Sequence, residues 1–331
     1  MLTFTPSPER FIVEEVPAYP PSGEGDHTFL WIEKRGLTTF DAISAVALAL
    51  GVSPRDVGYA GMKDRHATTR QWLSVPKGDP EVAQTIRRPE LTVLAAVRHP
   101  HKLRMGHLRA NRFEVVLTGA ATDDDMHALR VRFAELAARG VPNRFGDQRF
   151  GGAGDNAARG LALLRGERRE RDKRKRRLLL SALQSAVFNR ALELRAAGGP
   201  LTRVIVGDVL KKTDTGGLFV STDPAVDQPR VDAGEVMPTG PLPGGREIEP
   251  PPDTPARAIE DEAITAVGAT RDDFLRAGRE LPGARRPVLL MLAEAELAED
   301  DGSHGDARAV RVRFTLPAGA YATVVVASLI S

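Results

Sequence analysis

Tyr59-Ala-Gly-Met-Lys-Asp-Arg-His-Ala-Thr-Thr-Arg-Gln-Trp72 is a polar turn, opened by Gly61, between two strand-like segments, Val57 to Ala60 and Thr68 to Val75. At its centre Asp64 stands between Lys63 and Arg65. Cations on both sides favour an ionised Asp, which is then available as a nucleophile or as a stabiliser of an oxocarbenium-like centre. The same pattern fits a loop Asp paired with its own neighbours, and charge spacing alone does not separate the two readings. Upstream, Thr38 or Thr39 can cap a helix in which Phe40, Ile43, Val46, Ala47 and Leu50 recur at helical spacing and which Gly51 stops. Before that helix, Arg10 to Val16 and Thr28 to Glu33 read as strands around a Pro/Gly loop, Pro17 to Gly25. Downstream, Leu91 to Val97 and Phe113 to Leu117 read as further strands. Strands mixed with single helices, without regular β–α alternation, predict an α+β domain rather than a doubly wound sheet.

Beyond this part the character changes. Asp123 to Ala138 reads as a helix, followed by a Gly-rich turn (Gly140 to Gly154), a basic run, and a strong helix from Leu178 to Leu194 with a stripe of Leu180, Leu183, Val187, Ala191 and Leu194. Eight prolines between Pro229 and Pro255 predict a loop or irregular excursion. The chain returns to a strand, Ala309 to Leu316, and an apolar helix or strand beginning near Gly319. This layout predicts a second, more helical domain inserted into a β-rich first one.

The 331 residues are 42% hydrophobic and 27% charged, with Gly 31 and Pro 24, which suits a globular chain of roughly two domains and excludes collagenous or linker-dominated ones. With no Cys, disulfides, thiol nucleophiles, iron–sulfur clusters and thiolate zinc sites are excluded. Apolar runs such as Ala45 to Leu50 and Val324 to Ala327 are far below the ~20 residues of a membrane span. The N-terminus has no basic start followed by an apolar stretch, so a cytoplasmic protein is expected. Net charge is only +2, but it is unevenly spread. Leu91 to Phe113 holds five basic residues, three His and no acid, and nine of the thirteen residues from Arg165 to Arg177 are Lys or Arg. Acids collect in Glu247 to Glu262 and Glu294 to Asp306. Two basic patches suit a phosphate backbone through counterion release, although such runs also arise as solvated helix faces.

Phosphate-loop, nucleophile-elbow and zincin signatures are missing. Gly152-Ala-Gly154-Asp-Asn-Ala157 fits a loose dinucleotide pattern, but the preceding Phe145 to Gly151 is not an apolar strand. The seven His (27, 66, 99, 101, 107, 127 and 304) show no ligand spacing beyond His99-Pro-His101, so no metal site and no nucleotide cofactor are expected.

The Tyr59–Trp72 stretch resembles the signature of the TruD family of RNA pseudouridine synthases, and five further blocks, one before it and four after, keep the family's order along the chain. They are Pro8-Glu-Arg-Phe-Ile-Val-Glu-Glu15 with Gly23-Glu-Gly-Asp-His27, Gly106-His-Leu-Arg-Ala-Asn-Arg-Phe113, Gly140 to Gly151, Leu180-Ser-Ala-Leu-Gln-Ser-Ala-Val-Phe-Asn189, and Phe314-Thr-Leu-Pro-Ala-Gly-Ala-Tyr-Ala-Thr323. The resemblance implies a catalytic domain with a largely antiparallel sheet flanked by helices, in residues 1–140 and 291–331, and an inserted α/β TRUD domain in 141–290. It places the catalytic nucleophile on Asp64 and substrate contacts on Phe11, Asn111, Phe113 and Tyr321. It departs at Thr5, where family members carry Lys, and at Arg10, where an acid is usual; Lys63 or Arg10 could then supply the missing basic contact. Tyr321 replaces a frequent Phe and keeps a stacking face.

The implied reaction breaks the uridine N1–C1′ bond, turns the uracil and rejoins it through C5, without cofactor, with position 13 of tRNA as the expected target. Asp64 would add to C1′ or take the C2′ proton to give a glycal. The uridine must be extruded from its stack and held against an aromatic face. Lys63, Arg65, Lys102, Arg104, Arg109, Lys173 and Arg174 are candidates for the RNA backbone, lining a groove between the domains. A monomer is expected. A non-catalytic RNA-binding or RNA-folding protein is the alternative, separable by an Asp64→Ala variant that keeps RNA binding.

Overall fold

The computed structural model describes residues 2–300 and 308–330. His304 and the 301–306 end of the acidic stretch lie outside the described residues. The chain packs as two compact units, one of residues up to Gly140 together with those from Met291 onward, the other Val141–Leu290.

The first unit begins with β1 (Phe11–Pro17), β2 (His27–Arg35), α1 (Thr39–Leu50), β3 (Gly58–Tyr59), β4 (Thr68–Pro76), α2 (Pro80–Gln84), β5 (Arg87–Arg88), β6 (Leu91–His99), β7 (Leu108–Gly119) and α3 (Asp123–Arg139). The second contains β8 (Val141–Pro142), α4 (Asn156–Leu164), α5 (Lys173–Ala197), β9 (Val209–Lys212), β10 (Leu218–Val220), α6 (Pro224–Asp232), β11 (Val236–Leu242), α7 (Pro255–Ala266), α8 (Arg271–Ala277), β12 (Ala284–Pro287) and β13 (Leu289–Leu290). The first then resumes with β14 (Ala293–Glu299), β15 (Arg308–Pro317) and α9 (Ala322–Ile330).

An open sheet, ordered β14-β15-β7-β1-β4-β2-β6-β5 with β3 on β4, organises the first unit. Its pairs are antiparallel except β1 with β4. The mixed, mostly antiparallel sheet flanked by helices is the architecture expected of an α+β fold. Period-two alternation divides its faces. On one face, Leu30 and Ile32 of β2 and Leu73 and Val75 of β4 form a core with Ala42, Ile43, Val46 and Ala47 of α1. On the other, Glu33, Arg70, Glu14, Arg112 and Glu294 form a chain of ion pairs across β2, β4, β1, β7 and β14 at 2.8–3.2 Å. Partly exposed pairs of this kind stabilise little individually, but they keep this part of the face polar, while Phe29 and Trp72 further along it pack with Ala60 and Leu103.

Helix α1 starts and stops as its sequence predicts: Thr38 and Asp41 form a capping box, and Gly51 closes it at φ 65°. Phe40, however, is exposed, and Ala42 takes its expected place in the buried stripe. Strand β7 begins five residues before the expected Phe113, because both β1 and β15 pair with that earlier segment.

In the second unit, α5 packs against α4 and α7 and shares a core with them and with α8, including Leu163, Leu180, Leu183, Val187, Ala263 and Phe274. Two expectations are corrected here. The helix starts at Lys173 rather than Leu178, capped by Asp172, whose side chain accepts from Arg174 N and Lys175 N. The proline-rich segment is secondary structure in part: Pro229 lies in α6, Pro238 and Pro241 in β11, and Pro255 opens α7, whereas Pro243, Pro250, Pro251 and Pro252 lie in an irregular stretch, residues 243–254, as expected. β11 tolerates its prolines because only their N–H is missing: Pro238, opposite Leu210 of β9, still accepts at its carbonyl from Val288 N at 3.0 Å, and Pro241 pairs with β12 alone.

Candidate active site

The Asp64 turn emerges between β3 and β4 and is tied down by buried polar groups. Thr39 Oγ1 accepts from Lys63 N at 2.9 Å and donates to Gln71 Oε1 at 3.1 Å, while Gln71 Nε2 donates to Gly61 O at 3.2 Å. Lys34 Nζ donates to Leu37 O at 2.6 Å and to the main-chain oxygen of Asp64 at 2.9 Å. Arg65 Nε donates to Gly36 O at 3.2 Å. These hydrogen bonds pair the buried polar groups of Thr39, Gln71 and Lys34 with the turn, as a buried loop base requires. Asp64 itself is exposed; Oδ1 accepts from His66 N at 2.8 Å, and Oδ2 has no hydrogen-bond partner among the described residues. A rigid main chain thus presents a carboxylate with one oxygen free.

Beneath the turn, Lys63 Nζ donates to Glu15 Oε2 at 2.8 Å, and Glu15 Oε1 accepts from Trp72 N at 3.3 Å. Burial pushes the Glu15 carboxyl above its usual range, opposed by the adjacent ammonium. Register carries the neighbourhood further: Glu15 lies opposite Asn111 of β7, and Asn111 opposite Leu316 of β15. Two residues along, Val13, Phe113 and Phe314 form the next row. Phe11 stacks on Phe113 with centroids 6.3 Å apart and planes at 12°, and Phe113 meets Phe314 at 5.6 Å. Phe11, Phe113 and Asn111 are therefore brought to the sheet face that holds Glu15 and, through it, Lys63. Asn111 is a strand residue of β7, and its Oδ1 is buried without a hydrogen-bond partner among the described residues.

The other sequence candidates are placed differently. Tyr321 is 53% exposed, just before α9; the backbone leading to it is tied to β7 by Ala318 N donating to Arg109 O at 3.3 Å. Arg65, Arg104, Arg109, Lys173 and Arg174 are exposed, and Lys102 is half-buried with Nζ on Arg55 O. Lys63 is not presented to solvent, since its ammonium is held by Glu15. Arg112, part of the same basic run, belongs to the ion-paired face. The Gly152 segment follows a 3-10 turn, Asp147–Phe150, not the strand a dinucleotide fold needs.

Glu15, Lys34, Thr39 and Gln71 are functional neighbours that the sequence does not mark as such, Thr39 standing out there only as a possible helix cap, a place that Thr38 takes. For two of them a signal exists. Phe11, Val13, Glu15 and Leu30, Ile32, Lys34 each continue an inward-facing alternation with a charged residue.

A family model described as tRNA pseudouridine synthase D (TruD) matches residues 3–171 and 169–329. The tRNA pseudouridine synthase D of Anaeromyxobacter dehalogenans (strain 2CP-C) is 48% identical over 336 residues, covering 98% of this chain and 91% of that protein. Its namesake in Thermus thermophilus is 39% identical, covering 96% and 85%. Among solved structures, a Methanosarcina mazei protein provisionally assigned as tRNA pseudouridine synthase D superposes with a TM-score of 0.80 at 22% identity, over 97% of this chain and 91% of that one, a likeness of fold.

Proposed function

The chain belongs to the tRNA pseudouridine synthase D (TruD) family, and from that membership we infer that it isomerises uridine to pseudouridine in tRNA, with Asp64 as the reacting carboxylate. The observation that carries the role of Asp64 is its setting: an exposed carboxylate with a free oxygen, on a main chain anchored by buried groups from β2, α1 and β4. Pre-organisation of this kind places a nucleophile without reorganisation at the moment of reaction.

Asp64 Oδ2 acts at the ribose, adding to C1′ or removing the C2′ proton; either path releases uracil from N1 and lets it rejoin through C5, with loss of the C5 proton. Asn111 Oδ1, a buried acceptor in want of a donor, holds an N–H of the turned-out base or a ribose hydroxyl. Phe11, Phe113 and Tyr321 provide aromatic surface for the extruded uracil. The exposed Arg65, Arg104, Arg109, Lys173 and Arg174 take backbone phosphates. The isomerisation conserves atoms and electrons, so it calls for no redox or energy-supplying cofactor, and all named residues come from one chain, so a monomer suffices. The target we assign is position 13 of tRNA, in the cytoplasm.

The test is tritium release from tRNA carrying C5-tritiated uridine, followed by mapping of the modified position. Wild type releases tritium at one mapped site; Asp64→Ala binds the same tRNA and releases none. Release by Asp64→Ala at the wild-type rate would overturn the assignment.

A further inference from the structure

Lys34 extends inward from β2 and is wholly withdrawn from water. Among the described residues no carboxylate bonds it; both its hydrogen bonds go to main-chain oxygens, Leu37 O at 2.6 Å and Asp64 O at 2.9 Å. A buried ammonium without a bonded counter-ion carries a large desolvation penalty, and an uncharged donor could tie two carbonyls together at less cost. What the charge adds is a stronger bond to the residue that bears the reacting carboxylate. Resting on the assignment of Asp64 above, we propose that Lys34 is a positioning residue for Asp64, whose charge-assisted bond to the Asp64 main chain holds the carboxylate in register with the reacting ribose.

The surroundings make this charge adjustable. Facing Lys34 are the Asp64 carboxylate and Lys63 ammonium of the turn and the Asp41 carboxylate of α1. Lys63 is paired with Glu15 of β1, and Arg65 of the turn lies near Asp41. The strands alongside place uncharged residues next to it, Thr69 in β4 and Leu91 in β6. Burial is the largest influence and pushes the Lys34 ammonium down to about 8, against the pull of Asp64 and Asp41. Above that pH the neutral amine can still donate, but without charge assistance.

Activity and stability then move in opposite directions. Between about 8 and the ordinary 10.5, the unfolded chain holds a proton on Lys34 that the folded chain has released, so the contribution of this group to stability rises with pH. Turnover falls over the same range because the tether to Asp64 weakens. A purely structural lysine would not separate the two.

The experiment measures single-turnover tritium release from C5-tritiated tRNA, from about pH 6 to about pH 10, with thermal unfolding at each pH, for wild type, Lys34→Arg, Lys34→Met and Asp64→Asn. Ionisation of the substrate is common to all and cancels in rate ratios. Wild type loses turnover through a limb near pH 8 while its folded state persists. Lys34→Arg keeps the rate within about threefold and loses the limb, because guanidinium does not titrate there. Lys34→Met loses about 100-fold in rate with unchanged tRNA affinity, the scale of a misplaced reacting group. A wild-type rate in Lys34→Met, or a limb in Lys34→Arg matching wild type, overturns the proposal. Should neither variant fold, absence of the limb in wild type overturns it. A wild-type rate in Asp64→Asn would instead overturn the assignment of Asp64.

Discussion

Glu15 and Lys63 form a 2.8 Å ion pair whose side chains are almost completely buried, on the face of β1 beneath the Asp64 turn. Burying both charges is expensive, and their attraction offsets that cost only while both are present. Lys63→Met leaves a buried carboxylate without its cation and should lose about 3–5 kcal/mol in denaturant titrations at neutral pH. The pH dependence has a definite sign. Glu15 already sits above the usual carboxyl range and rises further without Lys63, so at a pH between those two raised positions only the variant still holds the proton, and its deficit against wild type grows as pH rises through that window, above the unfolded carboxyl range. The Glu15→Leu, Lys63→Met double variant should recover part of the loss; losses that simply add would show that the pair does not act as a unit.

Asn111 gives a prediction in which stability and function part company. Its buried Oδ1 has no hydrogen-bond partner among the described residues, a condition that costs about 1–3 kcal/mol. Asn111→Leu removes the orphaned acceptor at similar volume and should leave stability unchanged or raise it by about 1 kcal/mol. If the acceptor serves the substrate, kcat/KM should fall about 100-fold, some 2.7 kcal/mol of transition-state stabilisation. A large fall in melting temperature with intact kcat/KM would place Asn111 in the scaffold alone.

The aromatic candidates divide by burial. Phe113 is 6% exposed and packs against Phe11 and Phe314, so Phe113→Ala should cost about 3–5 kcal/mol of stability whatever else it does. Tyr321 is exposed, so Tyr321→Ala should shift stability by less than about 0.5 kcal/mol while reducing turnover of tRNA. Tyr321→Phe keeps the stacking surface and should retain most of the rate. Equal turnover in Tyr321→Ala and wild type would remove Tyr321 from the site.

The order of elements and the character of the first unit are readable because its strands and helices obey simple periodicities: β1, β2, β4, β6, α3 and β15 fall within two residues of their expected ends. Legibility fails where tertiary context overrides a local rule. Part of the proline-rich segment becomes strand because β9 and β12 supply partners for β11, while residues 243–254 keep the irregular course expected of them. The polar start of β7 is strand because two neighbours bond it, and this brings Asn111, two residues before the expected start, into the sheet. Asp64 is conspicuous from its flanking charges and the family resemblance, whereas the scaffold that holds it is not. Glu15 and Lys34 look like ordinary strand charges until pairing shows that they face inward, and Thr39 and Gln71 meet only after β4 packs beside α1.

The start of α5 is unfavourable by the rule that positive charge opposes the N-terminal end of a helix dipole. Its first turn carries Lys173, Arg174 and Lys175 and no acid, relieved by the Asp172 cap and by a pair between Lys175 and Glu170 at 3.2 Å. Each such cation should cost about 0.3–1 kcal/mol. A sequence selected for folding alone would place acids there, so the cost points to a partner that needs exposed positive charge, in keeping with a phosphate backbone. The Lys173→Glu, Arg174→Glu variant should therefore be more stable than wild type by about 1 kcal/mol in thermal unfolding, yet bind tRNA more weakly. The slope of log affinity against log salt should fall by about one for each phosphate that is no longer neutralised. Weaker binding with an unchanged slope would mean that these two residues act on the fold of the helix rather than on RNA, and would leave the backbone phosphates to the other exposed arginines of this unit.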